Sequence, residues 1–210
     1  MTDSARGWLD FYQGPLKPPY WPDETLARWL TVLKGPPRRV LELGCGAGRN
    51  LVAIRRHGSR PFGADISPDA LRKATLRLGY RVPGRLVCAS LDALPWADGA
   101  FDAVVEVNVL EHLPPAQRWR AVAEAARVLV PGGNAFFRMM ASACYGWPLK
   151  DEPFEVMADG VSIHTFVFPE IGALLGAAGL MMRGMDLETK CFMGWAPARR
   201  HWLVWAVKPG

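Results

Sequence analysis

Short, unbroken apolar runs alternate with longer stretches of helical spacing through most of the chain. Residues 38–43 (RRVLEL), 60–65 (RPFGAD), 85–89, 101–107 and 134–140 read as buried strands bounded by turn formers. Between them lie helices with legible ends. Asp23 caps DETLARWLTVLKG, whose first turn is acidic and whose stop is Gly35. Residues 50–57 form a short helix closed by Gly58. Ser67, Pro68 and Asp69 start the next as cap, first-turn proline and first-turn acid, and Gly79 ends it. Apolar spacing over 114–129 gives another, ended by Pro131, Gly132 and Gly133, and 169–178 gives the last, stopped by Gly179. Two further strands, around 180–188 and 202–208, follow.

Strand and helix therefore alternate for five rounds with short turns between. That pattern predicts an α/β fold: a doubly wound, mostly parallel sheet of seven strands with helices on both faces. Residues 141–165 interrupt it as an irregular aromatic insertion, expected to form part of a lid. Residues 1–35 supply an N-terminal flap, rich in aromatics and proline, and the first helix. With no repeat, linker or low-complexity tract, one domain over residues 1–210 is expected.

Composition changes this picture little. Half the residues are hydrophobic and 21% are charged, an ordinary globular balance. No apolar run approaches the roughly 20 residues that span a bilayer, and the N-terminus lacks the apolar core of a secretory signal. Cys45, Cys88, Cys144 and Cys191 show no zinc spacing and no disulfide framework, so free thiols in a reducing cytoplasm are expected, with no metal. The net charge of +5 comes from scattered bases such as Arg38 with Arg39, Arg55 with Arg56 and Arg199 with Arg200. A nucleic-acid binder concentrates such charge in a stripe or patch.

The chemistry begins at residues 40–50, VLELGCGAGRN. A glycine loop between a strand and a helix suits a nucleotide-type ligand at the carboxyl edge of an open sheet. The dinucleotide fingerprint needs G-x-G-x-x-G with helix amides aimed at a pyrophosphate. Here the spacing is G-x-G-x-G, and Arg49 stands in the place of the third glycine of that fingerprint. Glu42, two residues before Gly44, adds a negative charge that repels phosphate and suits a cation. S-adenosylmethionine, with a sulfonium, an ammonium and no phosphate, meets those terms. Asp65, at the end of the second strand, can accept both ribose hydroxyls, or it can simply shape the turn before Ser67.

From here the chain resembles the class I S-adenosylmethionine-dependent methyltransferases, especially the ubiquinone/menaquinone methyltransferase type. The resemblance covers residues 38–180 and rests on ordered motifs: VLELGCGAG, GADIS, LPWADGAFD, VLEHL and RVLVPGG. It implies a Rossmann-like methyltransferase fold and S-adenosyl-L-methionine as cofactor. It also implies that Glu42, Gly44, Cys45, Gly46, Gly48, Asp65 and Ile66 surround that cofactor. The family's adenine-contacting aspartate falls on Ser90, with Leu91 against the ring and Asp92 as the alternative. Glu106, ending the fourth strand, is expected to hold the methionine ammonium by carboxylate or carbonyl.

A base is needed only if the acceptor must lose a proton. Glu106, Glu111, His112 and His164 are the acid/base candidates, with His112 and His164 put forward as bases and packing as the alternative role of each. The fourth strand ends EVNV and lacks the D/N/S-P-P-Y/F of base-amino methyltransferases, while KPPY at 17–20 follows no strand. Trp8, Phe11, Tyr12, Tyr20, Trp21, Tyr145, Trp147 and Phe154 load the flap and insertion with aromatics. The expected partner is a small, mostly apolar or aromatic methyl acceptor and not a nucleic acid, taken by a monomer or homodimer. An RNA acceptor, or a non-catalytic cofactor-binding module, is the alternative.

Overall fold

The computed structural model describes residues 3–13, 21–33, 35, 37–79, 84–142, 154–158, 161–190 and 199–210. In chain order they form α1 (Asp3–Gln13), α2 (Glu24–Val32), β1 (Arg39–Leu43), α3 (Arg49–Arg56), β2 (Arg60–Asp65), α4 (Pro68–Leu78), β3 (Leu86–Cys88) and β4 (Phe101–Val107). A 3-10 turn (Leu110–His112), α5 (Pro115–Val128), β5 (Leu129–Met140), β6 (Phe154–Ala158), β7 (Val161–Thr165), α6 (Phe168–Ala177), β8 (Met181–Lys190) and β9 (Arg199–Val207) follow.

Seven strands make one sheet in the order β3-β2-β1-β4-β5-β9-β8. Strands β3, β2, β1, β4 and β5 pair in parallel, and β9 runs antiparallel to both its neighbours. The order reverses between β1 and β4, so a crevice opens where their carboxyl ends part. Both faces of the sheet are covered, which is why its strands are apolar without alternation. Leu41, Leu43 and Val104 point into the core shared with α5 and α6, built around Phe101, Phe137 and Phe166. Val40, Ala103 and Val105 point the other way, against Leu26, Trp29, Leu51 and Ile54 of α2 and α3.

The helix starts follow the capping chemistry. Asp23 Oδ1 accepts from the amides of Thr25 at 3.0 Å and Leu26 at 3.2 Å. Ser67 Oγ accepts from Ala70 N at 3.2 Å, and Gly79 ends α4 in the left-handed region.

Three segments differ from the sequence reading. VPGG, read as a stop between helix and strand, is absorbed into β5: Phe101 pairs with Leu129 and Ala103 with Asn134, so the residues between bulge out of the ladder. Lys208 Nζ ties the end of α5 to this bulge, donating to Leu129 O at 2.8 Å and Arg127 O at 3.4 Å. The insertion is not wholly irregular, because β6 and β7 form an antiparallel hairpin within it. Its period-two pattern of apolar and β-branched residues favours that pairing. The flap contains a helix, α1, packed on α4 and β7. Lys73 Nζ of α4 donates to Tyr12 O at 2.6 Å, satisfying a carbonyl in the last turn of α1. Trp21, by contrast, is 81% exposed and roofs nothing. KPPY, Tyr145, Trp147, Cys144 and Cys191 lie outside the described residues. Cys45 and Cys88 are free thiols.

Candidate active site

A cavity of about 880 Å³ lies over the carboxyl ends of β1, β2, β4 and β5, with α1 along one side. Gly44, Gly46 and Gly48 all have positive φ (63°, 50° and 77°), which explains a glycine at every second position of the loop. Their surroundings differ. A Cβ on Gly44 would fall 2.5 Å from Val109 Cγ2, and one on Gly48 3.1 Å from Ala74 Cα. Those two glycines let the loop pack against the β4 extension and α4. A Cβ on Gly46 would meet the Tyr12 hydroxyl, inside the cavity itself.

The acids at the strand ends hold the loop in place. Asp65 is buried; it accepts from Gly46 N at 2.8 Å through Oδ2 and from Ser67 N at 2.9 Å through Oδ1. The turn-shaping role read from the sequence is thus present, and the same carboxylate lines the cavity. Burial raises its pKa and the amides pull it back. Glu42 Oε1 accepts from Asn50 Nδ2 at 2.7 Å, while its buried Oε2 has no hydrogen-bond partner among the described residues. Burial pushes this carboxyl up to about 8. An acid held neutral beside a cavity has an obvious complement in a cation, which would restore its charge. Donor set and geometry of this wall therefore fit S-adenosylmethionine.

Ser90 and Leu91 line the cavity. The Ser90 hydroxyl donates to Asp92 Oδ1, whose second oxygen takes Arg120 Nη2 at 2.9 Å and Nε at 3.1 Å. Ser90 thus faces the cavity with Asp92 behind it. Ile66 also lines the wall, as does Cys45, whose thiol burial keeps protonated.

At the end of β4 the arrangement departs from expectation. Glu106 is fully buried and outside the cavity wall; its Oε1 accepts from Val109 N at 2.6 Å and Leu110 N at 3.2 Å. The carboxylate expected to hold an ammonium instead caps the 3-10 turn. Burial and then the neighbouring Glu111 raise its pKa. Asn108 has taken the wall position. It is the one non-glycine residue with positive φ (60°) among those described, and Asn tolerates that region. Its Nδ2 donates to Glu111 Oε1 at 2.7 Å and its Oδ1 accepts from Arg138 Nη1. Glu111 is buried and pushed up to about 7, with desolvation the largest cause.

The two histidines separate. His112 lines the cavity, its ring edge-on to Trp8 at 4.9 Å. His164 lies outside the wall, with Nε2 at 2.8 Å and 2.9 Å from the two Glu170 oxygens, because its strand neighbour Ile163 takes the inward position. Gly48 likewise stands behind the wall, between Ala47 and Arg49, which line it. Among the described residues no cluster of His, Cys, Asp and Glu could hold a metal, and no helix is long and apolar enough to cross a membrane.

Sequence reasoning passed over Asn50, Asn108 and Arg138, and took Tyr12 only as one flap aromatic. Trp8, Phe11 and Tyr12 do carry a signal, since their i, i+3, i+4 spacing marks one face of a helix. Arg138 and His201 meet only through the pairing of β5 with β9.

Comparison with known proteins agrees with this geometry. A methyltransferase domain model matches residues 40–133. The chain is 28% identical over 223 residues to a ubiquinone biosynthesis O-methyltransferase of Xanthomonas axonopodis pv. citri (strain 306), covering 98% of this chain and 90% of that one. It is 24% identical over 230 residues to a tRNA N(3)-methylcytidine methyltransferase of Drosophila melanogaster, covering 98% and 70%. Among solved structures, the Burkholderia thailandensis 1,6-didemethyltoxoflavin-N1-methyltransferase, with bound 1,6-didemethyltoxoflavin and S-adenosylhomocysteine, superposes with a TM-score of 0.70 at 21% identity, over 89% of this chain and 78% of that one. With the sheet order and the motif order, the domain match and the relatives support a class I S-adenosylmethionine-dependent methyltransferase, and the superposition supports its fold.

Proposed function

We propose that the enzyme methylates a small, mostly apolar or aromatic molecule enclosed with the cofactor beneath α1. The observation that carries this is the wall formed by Trp8, Phe11 and Tyr12: a helix of aromatic side chains closes one side of a cavity of about 880 Å³. That volume falls within the roughly 300–1,000 Å³ of small-molecule sites. The hairpin β6–β7, through Ile163, adds to the same enclosure, so α1 and the insertion together make a lid.

On this reading the cofactor supplies a methyl already activated by its sulfonium. Asp65 takes the ribose hydroxyls. Ser90, having spent its proton on Asp92, accepts from the adenine amino group, and Leu91 and Ile66 flank the ring. Glu42 faces the methionine ammonium, with the glycine loop backbone beside it. Glu106 acts indirectly, fixing the turn that carries Asn108 and His112. The remaining task is alignment and exclusion of water. If the acceptor must lose a proton, His112 is the one of the two candidate histidines that faces the cavity to receive it.

One observation favours an RNA acceptor, the 24% identity to a tRNA methyltransferase, and the net charge of +5 is compatible with it. Transfer of labelled methyl from S-adenosylmethionine into a mixture of metabolite extract and bulk tRNA separates the two. Label in the small-molecule fraction supports the proposal. Label in RNA, with binding that falls steeply with salt, would replace it.

A further inference from the structure

The cavity has a second wall, across β4 from the glycine loop. Arg138 and Met140 of β5, His201 and Arg199 of β9, and Lys190 of β8 line it. Strand register places these side chains on one face of the sheet: Met140 pairs with His201, His201 with Glu188, and Arg199 with Lys190. Further along the same face, α2 covers Phe136 through Trp29, ring to ring at 5.2 Å. Where α2 begins, at its cap Asp23, the apolar cover ends and the face turns charged.

The charges there are ordered. Arg138 is buried, with Nη2 at 3.0 Å from Glu188 Oε2 and Nε at 3.5 Å from Asp23 Oδ2. The same Nη2 lies 2.9 Å from His201 Nδ1. A guanidinium can only donate, so Nδ1 is the accepting nitrogen and the ring proton sits on Nε2. Burial, then the Arg138 charge, lowers the His201 pKa to about 3, so the ring stays neutral. It is a poor base and a fixed donor. Lys190 and Arg199 add cations beside it; Lys190 Nζ stands 3.7 Å from Glu188 Oε1.

We propose that this wall recognises the methyl acceptor by an anionic oxygen, a carboxylate or phenolate, held by the His201 Nε2–H donor and the Lys190 and Arg199 cations. The proposal rests on the small-acceptor reading above and narrows it. Of the other lining acids, Glu42 and Asp65 lie on the opposite, glycine-loop wall, and burial raises Glu111 to about 7. Asp23 and Glu188 are engaged by Arg138. Spacing suits an acceptor and not the cofactor: β9 lies three strands from β1, roughly 14 Å at about 4.8 Å per strand.

The test uses the full chain saturated with S-adenosylhomocysteine and labelled at its methionine methyls. Benzoate, 4-hydroxybenzoate and neutral benzamide are titrated while the Met140 resonance is read. The carboxylates are expected to bind about tenfold tighter than benzamide, the value of one charge-assisted hydrogen bond. In the double variant Lys190→Met/Arg199→Met that preference should collapse. His201→Gln, which keeps a side-chain N–H, should retain more of it than His201→Leu. Equal binding of benzoate and benzamide, no Met140 shift with any carboxylate, or a preference surviving in the double variant each overturns the proposal. So does a tenfold loss of S-adenosylhomocysteine affinity in the double variant, since the wall would then hold the cofactor's own carboxylate. Label transferred to RNA overturns this proposal and the small-acceptor reading together, whereas failed discrimination between the probes overturns this one alone.

Discussion

The two walls of the cavity are built in opposite ways. The wall over β1 and β2 is largely backbone: a glycine loop with three positive φ angles, held by Asp65 and backed by Glu42. Its parts lie within residues 42–66, and a Cβ added at Gly44, Gly46 or Gly48 meets Val109, Tyr12 or Ala74. The wall over β5, β9 and β8 is built of long side chains gathered from Asp23 to His201 and held by ion pairs. The first accepts little variation and suits a cofactor common to many reactions. The second can change residue by residue, which suits the specific partner.

The comparison can be broken at several points. The largest effect is expected at the glycine loop. Gly46→Val puts a β-branched residue at φ 50° and a Cβ against Tyr12, and S-adenosylhomocysteine binding by calorimetry should fall at least about 100-fold. Retained affinity would mean the loop is not the cofactor seat.

Arg138→Met, on the opposite wall, should act on stability. It leaves Asp23 and Glu188 short of a buried cation, at a cost of about 3–5 kcal/mol in urea unfolding. A cost under about 1 kcal/mol would show that the network is spatial coincidence.

Glu42→Gln separates stability from function. Because the folded pKa of about 8 lies above the ordinary 4.5, the folded state binds more protons than the unfolded one between those values. Stability of the cofactor-free protein from this group should therefore fall as pH rises from about 4.5 to about 8 and then level off. The variant should lose that slope, melt higher than the parent at pH 8, and bind cofactor about tenfold more weakly. A parent melting curve flat across that window would refute the buried-acid account. The smallest effect is expected from Ser90→Ala, about 1 kcal/mol or fivefold in cofactor affinity, the worth of one neutral hydrogen bond. An unchanged affinity would remove Ser90 from the adenine seat.

Legibility from sequence followed the same division. The strand and helix order, the caps at Asp23 and Ser67 and the glycine loop are local features, written in consecutive residues. Glu106 misled because sequence gives its place at a strand end but not its direction, and the amides of Val109 and Leu110 turn it inward. His164 misled through strand alternation, which points Ile163 to the cavity and His164 to Glu170. The meeting of Arg138 with His201 was invisible because it depends on the register of two strands far apart in the chain.

The central claim is that the β1–β2 wall exchanges a proton for a cationic ligand. A calorimetric titration of the wild-type enzyme with S-adenosylhomocysteine at pH 7, in phosphate and in Tris, tests it directly. Glu42 at about 8 is mostly protonated at that pH, and an ammonium beside it lowers its pKa. The account predicts saturable one-site binding whose enthalpy differs between the buffers by the release of about one proton, a release absent in Glu42→Gln. Binding with no proton release, or no binding at all, would contradict it.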